Sequence, residues 1–326
     1  MSGMSFIKSV DDRTSLAGAN KLEVLLFSLG EDPGTSRDEV YGINVFKVRE
    51  VMRVPEITHA PDMPPSVEGM VSLRGTMVPV VNLPKFCNVN TTRKPSILMI
   101  TEYNKNVQGF LVDSVDMIQR LSWDQVKAPP PMLAHRLGGL VTAVTELKDK
   151  RLCMIMDVEK VLAETAGFYD DDMIFEGILV NESNRDHTVM FADDSSVARN
   201  QIKGTLDRMG LRHLSATNGA EAWRMLQNIA EHCEATGRDI HNEISVILTD
   251  IEMPEMDGYV LTRKIKADPR FANIPVIMHS SLTAGQNQQL GKSVGADAYV
   301  SKFQPRELSA KLEAIIHGTQ SIPNPT

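Results

Sequence analysis

Two adjacent carboxylates, Asp193-Asp194, close one short apolar run, and a third, Asp250, closes another. A hydroxyl, Ser280, ends a third run, and an ammonium, Lys302, follows a fourth. Three carboxylates brought together repel one another unless a cation neutralises them. Mg²⁺ suits that place, being a hard ion held by one or two carboxylates together with waters and phosphate oxygens. Beside such a cation an Asp carboxylate can attack an incoming phosphoryl group, with the metal and the ammonium offsetting charge on the transferring oxygens. Taken singly, each Asp is a turn or cap residue and the Lys a surface charge. Their joint occurrence is what points to chemistry.

The elements that must gather these residues alternate between strand and helix. Strands are expected at Thr188–Ala192, Arg212–Ala216, Ser245–Thr249, Pro275–Ser280 and Asp297–Val300. Helices are expected at Ser195–Met209, Ala220–Glu231, Tyr259–Lys266 and Ala284–Ser293, with a last one from Pro305 to about Ile316. Pro305 suits a first helical position, where the missing N–H costs nothing. Five strands alternating with helices imply an α/β doubly wound parallel sheet covered on both faces. Ligands of such sheets sit beyond the carboxyl ends of the strands, and those are the ends where the five residues fall.

The motifs Phe191-Ala192-Asp193-Asp194-Ser195, Leu248-Thr249-Asp250-Ile251-Glu252-Met253-Pro254-Glu255-Met256-Asp257-Gly258, Pro275-Val276-Ile277-Met278-His279-Ser280 and Gly295-Ala296-Asp297-Ala298-Tyr299-Val300-Ser301-Lys302 resemble a response-regulator receiver domain. The resemblance implies that Asp250 is the phosphoacceptor. It implies that Asp194 ligates Mg²⁺ directly, Asp193 mostly through water, and that the backbone carbonyl of Glu252 completes the protein ligands. Ser280 and Lys302 would contact the acyl phosphate, and Tyr299 would be the switch aromatic, against the alternative of a plain core tyrosine. Three departures stand out. Phe303-Gln304-Pro305 replaces a proline directly after the lysine, Ser280 stands where threonine is commoner, and the segment from Asn228 to Glu243 is long enough to extend a helix or loop away from the site. A competing class, the aspartyl phosphatases, needs a second Asp two residues after its nucleophile. Ser195 and Ser196 occupy those positions here.

The N-terminal half carries no such constellation. His59 and His135 are isolated, and Asp113 with Asp116 reads as a solvated strand end. Its pattern is all-β: short apolar runs at Leu22–Leu29, Gly42–Val48, Met77–Leu83, Ile97–Ile100, Gly109–Val115, Gly139–Val144 and Leu152–Met156, broken by Gly, Pro and Asn. Many short strands at this spacing imply a sandwich or small barrels. The runs Tyr41-Gly42-Ile43-Asn44-Val45-Phe46-Lys47-Val48-Arg49-Glu50-Val51 and Val67-Glu68-Gly69-Met70-Val71-Ser72-Leu73-Arg74-Gly75-Thr76-Met77-Val78-Pro79-Val80-Val81-Asn82-Leu83, with Leu152-Cys153-Met154-Ile155-Met156-Asp157-Val158, resemble a CheW-like coupling domain. That resemblance implies paired SH3-like five-stranded barrels that bridge chemoreceptors to their histidine kinase, with Val48, Glu50 and Arg74 on the receptor-facing groove, against the alternatives of core packing for Val48 and a structural ion pair for Arg74. Gly69 and Gly75 are expected at backbone turns, since glycine enters φ > 0 freely.

The rest of the sequence narrows the function class. The 326 residues carry a net charge of −8, most of it in the C-terminal half, and no basic stripe. Nucleic acid is therefore not expected as a partner, nor is a transcriptional output. No apolar run approaches the ~18 residues of a membrane span, and Met1-Ser2-Gly3-Met4-Ser5 begins no signal peptide. Three scattered cysteines, Cys87, Cys153 and Cys233, read as reduced side chains of a cytoplasmic protein. The expected organisation is a tail over 1–20, a coupling domain over 21–165, a polar linker over 166–186, a receiver over 187–318 and a tail over 319–326. The chain ends soon after the last helix, so no further output domain is expected. The resulting expectation is a Mg²⁺-dependent phosphoacceptor adaptor, not an enzyme beyond its own phosphoryl transfer and dephosphorylation, recruited to receptor arrays.

Overall fold

The computed structural model describes residues 21–34, 38–59, 61–103, 106–136, 139–166, 175–280, 289, 291–302 and 304–318. The expected tails and most of the expected helix Ala284–Ser293 lie outside the described residues. The chain divides into two compact units, residues 1–169 and 170–326.

The first unit has ten strands: β1 (Lys21–Ser28), β2 (Val40–Asn44), β3 (Val48–Arg53), β4 (Val67–Leu73), β5 (Thr76–Asn82), β6 (Ile97–Tyr103), β7 (Asn106–Val112), β8 (Ser114–Ser122), β9 (Val141–Glu146) and β10 (Leu152–Met156). They form two five-stranded sheets, ordered β8-β1-β2-β10-β9 and β3-β6-β7-β5-β4. Each sheet is closed by a single bridge between its edges. Thr58, just beyond β3, exchanges both backbone bonds with Met70 of β4 at 2.9 Å. Lys127, beyond β8, does the same with Val144 of β9 at 2.9 and 2.8 Å. Gly69 belongs to the first seam: its φ is +137°, and a Cβ there would lie 2.2 Å from the Thr58 carbonyl oxygen.

Strand alternation explains the packing, because successive side chains face opposite sides of a sheet. On β1, Val24 and Leu26 fill a core of the first sheet with Val40, Leu121 and Ile155, whereas Leu25 and Phe27 face the other way. There they meet Met99, Phe110 and Val112 of the second sheet in a shared core. Two of the expected strands run across breaks. Gly42–Val48 is interrupted at Asn44, whose side-chain oxygen accepts from Phe46 N at 3.0 Å and starts a 3₁₀ turn. The chain then enters β3 in the other sheet. Gly109–Val115 likewise spans the end of β7 and the start of β8. Short helices α1 (Leu83–Phe86), α2 (Pro131–Arg136) and α3 (Val158–Ala166) complete the unit. The 3₁₀ turn is tied to α3 by Lys47 Nζ, 2.6 Å from the buried Glu159 carboxylate.

The second unit is a parallel sheet ordered β12-β11-β13-β14-β15, from β11 (Thr188–Ala192), β12 (Arg212–Ala216), β13 (Val246–Thr249), β14 (Val276–Ser280) and β15 (Ala298–Ser301). Helices α4 (Ser196–Met209) and α8 (Pro305–His317) cover one face, packing Ile202, Leu206, Leu308 and Leu312 on Phe191, Leu248 and Ile277. Helices α5 (Gly219–Thr236) and α7 (Gly258–Ala267) cover the other, packing Leu226, Leu261 and Ile265 on Met190, Ile247 and Val276. The long segment from Asn228 becomes extra turns of α5, followed by the short α6 (Ile240–Glu243).

Residues 175–186, expected within a linker that is partly helical, include a 3₁₀ turn at Glu182–Asp186 and pack on the receiver. Phe175 lies against Gly204 of α4 and under the Arg208 guanidinium, 4.5 Å from its ring centre. Ile178 joins the core below. Arg306 Nε donates to the Glu176 carbonyl at 2.7 Å, and the fully buried Asn184 donates to Met209 O and Glu313 Oε1 at 2.9 and 2.7 Å. Ile178 packs on the receiver core and Asn184 bonds α8 directly, so this strap is part of the receiver.

Candidate functional site

Strand ends bring the sequence-expected residues together. β11 delivers Asp193 and Asp194, β13 delivers Asp250, β14 ends in Ser280, and Lys302 follows β15. Carboxylate oxygens of Asp193, Asp194 and Asp250 lie within 4.8 Å of one another, which makes them the one group of three potential metal ligands among the described residues. Asp193 is 0% exposed and Asp250 4%. The Lys302 ammonium, itself buried, stands 2.8 Å from Oδ2 of both.

Local hydrogen bonds fix the two buried carboxylates. Ser195 N donates to Asp193 Oδ1 at 3.0 Å, and Ile251 N donates to Asp250 Oδ1 at 2.7 Å. Ser195 also caps α4 through Ala198 N. Burial pushes the Asp250 carboxyl well above the usual carboxylate range, Lys302 opposes that, and Asp193 and Asp194 add to it. Gly258 opens α7 against the site: a Cβ there would fall 2.0 Å from the Asp250 carbonyl oxygen, so only glycine allows this approach. Asp257 caps the same helix through Val260 N at 2.8 Å. The half-buried Glu252 lies two residues beyond Asp250 in the loop between β13 and α7.

Ser280 is buried and hydrogen-bonded to Tyr299, whose hydroxyl is pushed up to about 12, chiefly by burial. Tyr299 packs with Tyr259 and Met278, so it is half-buried at the site's margin. His279 faces the interior, and burial followed by Lys302 pushes its imidazole down to about 3. It is neutral and brings no charge to the cluster. Sequence reasoning passed over Arg199, whose Nη1 donates to the carbonyls of Asp193 and Asp194 at 2.7 and 2.9 Å. Its i+5 and i+6 spacing from those residues, across a helix cap, was the available signal.

In the first unit, Arg74 and Gly75 form the two-residue turn between β4 and β5, with φ of 50° and 84°. Arg74 is 77% exposed at its side chain and stands 3.3 Å from Glu50 of β3. Val48 does not join them. It is 1% exposed and packs in the shared core with Met99 and Val81, so its expected place on a binding groove is corrected: the first residue of β3 points inward.

Comparison with known proteins agrees with this division. A CheW-like domain model matches residues 23–166, and a response regulator receiver domain model matches residues 189–313. The chain is 29% identical to chemotaxis protein CheV3 of Helicobacter pylori over 307 residues, covering 91% of this chain and 95% of that one. It is 26% identical to CheV1 of the same organism, covering 93% and 95%. Chemotaxis protein CheY1 of Helicobacter pylori is 35% identical over 130 residues, 39% of this chain and 95% of that protein. Two matched domains in this order, with relatives that share both along nearly their whole length, place the chain in the CheV family of chemotaxis proteins.

Proposed function

We propose that this coupling adaptor joins chemoreceptors to a histidine kinase of the CheA type through its first unit and is regulated by phosphorylation of Asp250 in its receiver. The observation that carries the reading is the triad of carboxylates, with Lys302 between the two buried ones, Asp193 and Asp250. Such a cluster fits Mg²⁺: three hard oxygen donors meet at one point, and the charge they share is only partly offset by one ammonium. Asp194 and Asp250 would hold the ion directly, Asp193 mostly through water, with the Glu252 carbonyl completing the set. When bound, the ion neutralises charge on the transferring phosphoryl oxygens.

Asp250 Oδ would attack the phosphorus of a phosphohistidine. The P–N bond breaks, and the imidazole keeps the electron pair and takes up a proton. Lys302 would shift from the carboxylates to a phosphoryl oxygen, and Ser280 would turn its hydroxyl to another, releasing Tyr299. Phosphorylation would thereby tune coupling or drain phosphoryl groups from the kinase, in the cytoplasm beside membrane-bound receptor arrays. Among the described residues no helix is long and apolar enough to cross a membrane.

The test is transfer of labelled phosphate from the phosphorylated kinase, run beside co-sedimentation with receptor-containing membranes. Label on the wild type and none on Asp250→Asn, with unphosphorylated co-sedimentation equal in both, is expected. Persistent label on Asp250→Asn would move the phosphoacceptor elsewhere.

A further inference from the structure

Asp193 and Asp194 are neighbours in sequence, yet their carboxylate oxygens both lie within 4.8 Å of the Asp250 carboxylate. In an extended strand, adjacent side chains point to opposite faces. The chain must therefore leave strand geometry immediately after Ala192, where β11 ends. Sheet pairing holds the amide of Asp193, which donates to Ala216 O at 3.2 Å. The two carbonyls that follow are held by a side chain: Arg199, in α4, places one nitrogen 2.7 Å from Asp193 O and 2.9 Å from Asp194 O.

We infer that Arg199 is the positioning residue of the metal site, clamping the Asp193–Asp194 backbone so that both carboxylates face Asp250. The inference rests on the proposed Mg²⁺ site and assigns it a residue that touches neither metal nor phosphate. The sign of its effect separates this role from a simple charge effect. A guanidinium acting only as a nearby positive charge repels a divalent cation, and removing it would tighten Mg²⁺ binding. A clamp preorganises the ligands, and removing it weakens binding; loss of outer-shell partners typically costs ~10–100-fold in metal affinity.

Calorimetric titration of Mg²⁺ into the full-length protein tests this, with wild type, Arg199→Gln and Arg199→Lys compared and melting in EDTA as the fold control. Arg199→Gln is expected to bind ~10–100-fold more weakly. Arg199→Lys keeps a charged donor on a shorter arm and should fall between the two. An Arg199→Gln affinity equal to or tighter than wild type overturns the clamp while leaving the Mg²⁺ site standing. A wild type that takes up no Mg²⁺ removes the site itself, and the clamp with it. If Arg199→Gln does not fold, Arg199→Lys decides: a severalfold weaker affinity supports the clamp, and a wild-type affinity overturns it.

Discussion

Lys302 and Asp250 meet at 2.8 Å with almost no water around them, and the same ammonium is equally close to Asp193. One cation thus restrains two buried anions before any metal arrives. Truncating it as Lys302→Met leaves buried carboxylates uncompensated, a change that typically costs ~3–5 kcal/mol. In EDTA the receiver of this variant should melt well below wild type. Mg²⁺ should then raise its melting temperature by more than it raises that of wild type, because the ion supplies the missing charge. Equal Mg²⁺ responses in differential scanning calorimetry would show that Lys302 does not offset these anions.

The raised Asp250 carboxyl has a pH consequence in metal-free buffer. A group that holds its proton more tightly when folded adds stability below the ordinary carboxylate range, and loses it as pH rises through the raised value. The receiver should therefore weaken with rising pH across that window, by up to ~1.4 kcal/mol per pH unit. Asp250→Asn, which cannot ionise, should show a flatter profile and exceed wild type at the alkaline end. Denaturant titrations at several pH values check this; parallel profiles would contradict it.

Asn184 is completely buried and bonds two elements of the receiver at once, Met209 O and Glu313. Asn184→Ala leaves the Met209 carbonyl without this donor and should cost ~1–3 kcal/mol. Calorimetry on the full chain should show the receiver transition moving down while the transition of the first unit stays. No shift would mean that the strap contributes nothing to receiver stability.

Arg74 sits in a turn with φ of 50°, a conformation that Asn adopts more readily than Arg or Ala. Arg74→Asn therefore removes the charge while keeping the turn. Its exposed ion pair with Glu50 is worth only ~0–1 kcal/mol, so the fold should be unaffected. Co-sedimentation with receptor membranes and kinase should weaken by ~10-fold, the effect of losing ~1.4 kcal/mol at an interface anchor. Unchanged association would exclude Arg74 from the interface.

The receiver was legible because β11, β13 and β14 are short buried runs that end at or directly before a polar site residue. Thr188–Ala192 and Arg212–Ala216 match the expected bounds, and the other three strands differ by a residue or two. The coupling unit was less legible where one apolar run serves two sheets. Nothing in Gly42–Val48 marks the switch except Asn44, whose capping role depends on conformation. Val48 follows that switch, and the inward or outward sense of a strand residue depends on register. The strap was hidden for another reason: Phe175 and Ile178 belong to a short apolar run over residues 173–180, broken by Glu176 and Gly177, whose pattern does not say what it packs on. Arg199 acts through backbone carbonyls, which a sequence does not display.

The two one-residue bridges that close the sheets of the first unit limit how anything can bind it. An open sheet edge recruits partners by strand addition, offering a row of unpaired amides and carbonyls to any extended peptide. Here Thr58 meets Met70 and Lys127 meets Val144 across the seams, so each edge strand is turned toward its opposite edge. Each bridge ties one residue pair across a seam, which shortens the edge left open to strand addition and favours recognition through side chains. Side chains discriminate among partners by charge and shape, and a shorter open edge offers less template for edge-to-edge stacking of copies of the chain.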